Sequence, residues 1–206
     1  MWLLLLATTT AAAISYSMKP FHSCHVDRDY DHLYDIVLKE DEGNVEQTEF
    51  TSSTDVEALL SFRKALTSDP DASLLNWTVA NSHNICSSNG IFCRKDTKRV
   101  IAIILPGLGL GLQGAISPSL ATLLLLSSLN LSHNNLTGRI PTEFGQLNAL
   151  AALDVSYNLL SGYIPITLCN CTKLQSIRLS INSLIGGIPQ SMGNLRDKYN
   201  LGEIAE

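Results

Sequence analysis

The 206-residue sequence predicts an α/β solenoid: a parallel β-sheet horseshoe of about four 24-residue repeats, preceded by a helical N-terminal cap. Two observations carry this. Asn134, Asn158 and Asn182 recur every 24 residues. Each is followed at fixed offsets by a Leu, a Gly (Gly138, Gly162, Gly186), an Ile (Ile140, Ile164, Ile188) and a Pro (Pro141, Pro165, Pro189). Upstream, Thr54-x-x-Glu57 reads as a capping box, and Val56, Leu59, Leu60, Phe62 and Leu66 form an apolar stripe at helical spacing. Asp69-Pro70 is the expected end of that helix.

The repeat units are 99–122, 123–146, 147–170 and 171–194, and the last three read L-x-x-L-x-L-x-x-N-x-L-x-G-x-I-P with conservative exchanges. That pattern and period define a leucine-rich repeat. Leu129 with Leu131, Leu153 with Val155, and Ile177 with Leu179 alternate as a short strand with one face inward. One such strand per unit stacks into a parallel sheet. At the turn leaving each strand, a buried Asn side chain can both donate and accept. Asn134, Asn158 and Asn182 are therefore expected to form a structural ladder, and losing one would strand buried groups at about 1 to 3 kcal/mol. The glycines permit backbone angles closed to other residues, and the prolines start an extended segment across the outer side.

The motifs LTGRIP, LSGYIP and LIGGIP resemble the plant-specific class of leucine-rich repeats. Thr54–Leu105 resembles the N-terminal cap domain of the same proteins, through TDVEALLSFRKALTSDP, LLNW, two cysteines and then RVIAIIL, which gives a cap domain over 51–98. The resemblance covers about residues 51–195. It implies a cap disulfide between Cys86 and Cys93, where the residues alone also allow half of a zinc site without its second pair. This chain departs from the family twice. Ser88 stands where a Trp usually follows the first cap cysteine, and the first repeat carries an extra Gly-Leu before Leu112-x-Gly114. Cys171 matches the family's L-x-N-C-T, a small buried position.

Outside the repeats, Trp2–Ile14 is an apolar run followed by small residues, so 1–17 reads as a signal peptide. Residues 18–50 hold three Lys or Arg against nine Asp or Glu and read as an acidic disordered linker. His22, Cys24, His25, His32 and Asp27-x-Asp29-x-Asp31 lie there. A calcium loop would need Gly at His32 and Glu at Leu38, so no metal site is expected. Residues 195–206 read as a truncated tail lacking the polar cap that closes a solenoid.

Other signals fail on context. Gly109-x-Gly111-x-x-Gly114 lacks the following helix and the acidic partner of a dinucleotide site. Val100–Leu126 is uncharged, but its prolines and glycines argue against a membrane span by this chain. No basic patch interleaved with aromatics points to nucleic acid. Sequons at Asn76, Asn130, Asn135 and Asn170 are candidate glycosylation sites.

Strand alternation puts Ser128, Asn130, Ala152, Asp154, Ser176 and Arg178 on the concave face as candidate partner-binding residues, continued by Ser132, Ser156 and Ser180. Asp154 and Arg178 are the charges on that surface. No catalytic constellation and no cofactor motif occurs. The resemblance implies a non-catalytic recognition module of receptor-like kinases and receptor-like proteins. Such a module is secreted or displayed on the outer face of the plasma membrane, and binds a peptide, protein or co-receptor in defence or growth signalling. The alternatives are a secreted inhibitor of a cell-wall hydrolase, similar to polygalacturonase inhibitors, and a nonfunctional fragment.

Overall fold

A computed structural model describes residues 52–107, 111–189 and 192. The expected signal peptide 1–17, acidic linker 18–50 and tail 195–206 lie outside the described residues, as does the His, Cys and Asp cluster of the linker.

Helix α1 spans Ser52–Ala65, with Asp55 in its first turn and Arg63 and Lys64 in its last, the arrangement that complements the helix dipole. Its stripe buries Ala58, Leu59 and Phe62. Both expected ends need correction. Thr54 lies inside the helix, which already starts at Ser52, and Asp55 anchors its first turn. The carboxylate of Asp55 accepts from Arg99 Nε and Nη2 at 2.8 Å each and from the Val100 N–H at 2.9 Å. The helix stops at Ala65, before Asp69-Pro70, because strand β1 (Leu66–Ser68) pairs antiparallel with β4 (Gln113–Ala115). Gly114 makes that pairing possible: its φ is 126°, and a Cβ there would sit 2.4 Å from the Ala65 carbonyl oxygen. Asp69 instead organises the following turn, accepting from the Ser73 and Leu74 N–H groups.

The rest of the cap packs around Trp77, which is fully buried, sits against Phe62 with ring centroids 6.1 Å apart, and donates Nε1–H to the Asn89 carbonyl. A 3-10 helix, Val79–Ser87, leads to β2 (Ile91–Cys93), antiparallel to β3 (Val100–Ile104). Cys86 and Cys93 form a disulfide, not half of a zinc site. Where the family usually has Trp, Ser88 is buried and hydrogen-bonded, donating to the Asn76 carbonyl and accepting from Asn81 Nδ2. A polar plug replaces an aromatic one.

The main sheet has the order β2-β3-β5-β7-β9, with β5 at Ser128–Asn130, β7 at Ala152–Asp154 and β9 at Ser176–Arg178. From β3 onward it is parallel and in unbroken register: Ala102, Ser128, Ala152 and Ser176 lie in one row, and Ile104, Asn130, Asp154 and Arg178 in another. The inward row between them, Ile103, Leu129, Leu153 and Ile177, is at most 1 % exposed. Burying each such side chain contributes about 1.5 to 3 kcal/mol. This row, the cap and the outer side share one core running from Ala58 to Met192. Cys171 lies within it, its Sγ–H donating to the Phe144 carbonyl.

The outer segments contain short strands as well. β4 pairs parallel with β6 (Asn135–Thr137), and β8 (Ser161–Gly162) with β10 (Ser183–Leu184). Leu159 and Ser161 N–H groups bond to the Leu136 and Gly138 carbonyls, linking the two sets. One 3-10 helix follows in each of the first three units, at Pro118–Thr122, Thr142–Gln146 and Ile166–Asn170. Gln113–Ala115 is a strand rather than the start of a helix, so the Gly109–Gly114 run lacks the element a dinucleotide site needs. No helix among the described residues is long and apolar enough to cross a membrane.

Between strand and outer segment, each repeat Asn faces inward. Asn158 Nδ2 lies 2.9 Å from the Leu131 carbonyl of the preceding unit and 3.1 Å from those of Val155 and Ser156, while its Oδ1 accepts from the Leu136 N–H. Asn134 does the same toward Leu105, Leu131, Ser132 and Leu112, and Asn182 toward Val155, Leu179, Ser180 and Leu160. In the irregular first repeat, Gly107 leaves the space that the Asn134 side chain enters, since a Cβ there would lie 2.3 Å from Asn134 Oδ1.

Candidate functional site

Exposure on the concave face is narrower than alternation alone suggests. Ser128 and Ala152 are 1 % exposed and Asp154 is 4 % exposed, so these three do not offer a contact surface. Ser132 and Ser156 are buried as well. The cause is crowding across a parallel sheet: Ser128 stands between Ala102 and Ala152, Ala152 between Ser128 and Ser176, and Asp154 between Asn130 and Arg178. Small side chains flanked on both sides leave no room for solvent. Asn130, Ser176, Arg178 and Ser180 stay partly exposed.

The two charges are tied together. Asp154 Oδ1 accepts from the Ser156 N–H at 3.0 Å and from Ser156 Oγ at 2.6 Å, and its Oδ2 lies 3.8 Å from Arg178 Nη1. Asn130 repeats the device one unit earlier, its Oδ1 accepting from the Ser132 N–H and hydroxyl. Asp154 is thus a positioning group, and Arg178 brings positive charge to a strip of Ser and Asn side chains. Ser128 Oγ is buried without a hydrogen-bond partner among the described residues. No group of three or more His, Cys, Asp or Glu that could hold a metal occurs among the described residues.

Asn76, Asn135 and Asn170 are exposed, whereas Asn130 is partly buried. A feature not singled out from sequence is the residue preceding each ladder Asn. His133, Tyr157 and Ile181 all adopt a left-handed backbone, φ 54° to 56°, and all are exposed. The rings of His133 and Tyr157 stack 4.1 Å apart at 11°. Their 24-residue spacing was visible, but residue type varies there, so only the backbone reveals the shared position.

Comparison with known proteins agrees with this architecture. Residues 52–94 match the family described as leucine rich repeat N-terminal domain, and residues 119–184 match leucine rich repeat. Protein MALE DISCOVERER 2 of Arabidopsis thaliana is 36% identical over 88 residues, which is 43% of this chain and 12% of that protein. The chain thus spans about an eighth of that relative's length. The ectodomain of the plant membrane receptor kinase GASSHO1/SCHENGEN3 from Arabidopsis thaliana, solved in complex with CASPARIAN STRIP INTEGRITY FACTOR 2, superposes with a TM-score of 0.61 at 37% identity, over 71% of this chain and 17% of that one. A chain of the BIR3–SERK2 complex from Arabidopsis thaliana gives 0.62 at 34% identity, over 68% of this chain and 76% of that one. The chain belongs to the plant leucine-rich repeat family, carrying the N-terminal cap and repeats of its receptor-like ectodomains.

Proposed function

We propose that this chain is a non-catalytic extracellular recognition module that binds an extended peptide or a protein partner, such as a co-receptor, along its concave sheet. It serves defence or growth signalling at the outer face of the plasma membrane or as a short secreted form. The observation that carries the reading is the partly exposed Arg178, held beside Asp154 in a row that continues through Asn130 to Ile104, with Ser176 and Ser180 on either side of it along the chain. A guanidinium fork matches a carboxylate in shape and charge. Peptide termini and acidic side chains are therefore its natural contacts, with Asn130, Ser176 and Ser180 supplying hydrogen bonds to an extended backbone.

The test uses a library of synthetic peptides with free C-terminal carboxylates, the same library amidated, and the secreted chain immobilised. Binders from the first set should weaken at least about tenfold on amidation and in Arg178→Gln, the size of one lost charged contact. Binders indifferent to both changes, or none in either library, would overturn the reading.

A further inference from the structure

Beside the concave sheet the solenoid presents a second outward surface. In the first regular repeat His133, Asn135, Thr137 and Arg139 are exposed, with Asn134 and Leu136 buried between them. In the next, Tyr157, Leu159 and Tyr163 are 47, 54 and 68 % exposed. Large apolar side chains in register on an open side call for a cover. The platform is also rigid. The His133–Tyr157 stack rests on two residues held at positive φ, with backbone N–H groups fixed to the Ser156 and Ser180 carbonyls.

The sequence supplies the cover. Asn135-Leu136-Thr137 is an N-x-T sequon, and Asn135 is two residues from His133, so their Cα atoms lie within about 7 Å. The Leu136 carbonyl accepts from the Leu159 N–H at 2.8 Å, which sets Leu159 alongside the sequon. We propose that Asn135 carries an N-linked glycan whose first N-acetylglucosamine lies against the His133–Tyr157 stack with Leu159 at its flank. In the attachment, Asn135 Nδ2 bonds to the anomeric carbon of a lipid-pyrophosphate-linked oligosaccharide. The bond from that carbon to the pyrophosphate oxygen breaks, lipid pyrophosphate leaves with the electron pair, and one amide proton is released. The C–H face of the sugar carries partial positive charge and meets the negative ring faces, with apolar area buried on both sides. The glycan covers this side of the solenoid and leaves the concave sheet as the open protein surface. Of the other sequons, Asn130 has its side-chain oxygen engaged by Ser132, Asn76 adjoins Trp77, whose ring is fully buried against Phe62, and Asn170 has no stacked ring pair beside it among the described residues.

The inference rests on the extracellular reading above. The full chain, expressed behind an added secretion leader in a eukaryotic host, is mapped for glycopeptides. Its glycans are then trimmed to a single N-acetylglucosamine, and its melting temperature is compared with that of Asn135→Gln. Asn135 should be occupied, and the trimmed protein should melt about 2 °C or more above Asn135→Gln. That gap should vanish in the double variant His133→Asn, Tyr157→Asn, whose asparagines tolerate the left-handed backbone. Occupancy at Asn76 and Asn170 with Asn135 bare overturns the inference, as does a gap that survives loss of both rings. Bare asparagines at all the sequons overturn the inference and leave the extracellular reading to fractionation of the native product. An occupied Asn135 with its gap intact, beside a failed peptide screen, removes the ligand reading alone.

Discussion

The carboxamide of Asn158 faces three carbonyls and one N–H drawn from two successive units, in a site only 6 % exposed. Truncation leaves the Leu136 N–H without its acceptor in a space water cannot enter, while the Leu131, Val155 and Ser156 carbonyls each lose one of two donors and keep the other, from Asn134, Asn182 and His133. Asn158→Ala should therefore lower stability by about 1 to 3 kcal/mol, read from the shift in urea midpoint at unchanged slope. Asn182 makes the same bonds but is partly buried, so water can replace some of them. Asn182→Ala should cost about half as much. The contrasting case is Ser128, whose buried hydroxyl has no partner among the described residues. Ser128→Ala removes a desolvated polar group and should leave stability unchanged or raise it by up to about 1 kcal/mol in the same experiment.

At the scale of elements, the cap is fastened to the repeats by a contact 44 residues apart in sequence. Asp55 on α1 holds Arg99 and the Val100 N–H at the start of β3, with Asp55 1 % and Arg99 9 % exposed. Asp55→Ala leaves a buried guanidinium and a buried N–H without their anion, and should destabilise by about 3 to 5 kcal/mol in urea unfolding. Asp55→Asn keeps an acceptor for Val100 and should cost visibly less. Nothing in the sequence around Asp55 announces this pairing, because a charge in a first helical turn is ordinary. Long-range contacts also account for the misread helix ends, since Leu66–Ser68 leaves the helix to pair with β4 at Gly114. The repeats were legible for the opposite reason: each repeats the same local solution, and periodicity multiplies a weak signal. The concave surface was only partly legible. Alternation gives the face a residue points to, but crowding by Ala102, Ala152 and Arg178 decides whether Ser128 or Asp154 reaches solvent.

For the whole molecule, the question is whether cap and repeats unfold as one body. Solenoid units contact only their neighbours, and cooperativity depends on the interfaces between them. Here the cap–repeat junction is continuous. β2 extends the main sheet, β1 extends the outer one, and Phe62 and Trp77 belong to the same core as Leu129 and Leu153. Trp77 fluorescence reports on the cap, because the second tryptophan is Trp2, in the expected signal peptide, while near-ultraviolet circular dichroism in the tyrosine band reports on Tyr157 and Tyr163 of the repeats. The two probes should trace coincident urea transitions, the mark of a two-state unfolding. Opening the Cys86–Cys93 disulfide, which closes a short loop, should then destabilise the entire body by about 2 kcal/mol and move both curves together. A reduced protein whose fluorescence curve shifts while its dichroism curve stays in place would show that the cap melts alone and that the shared core does not couple it to the main sheet.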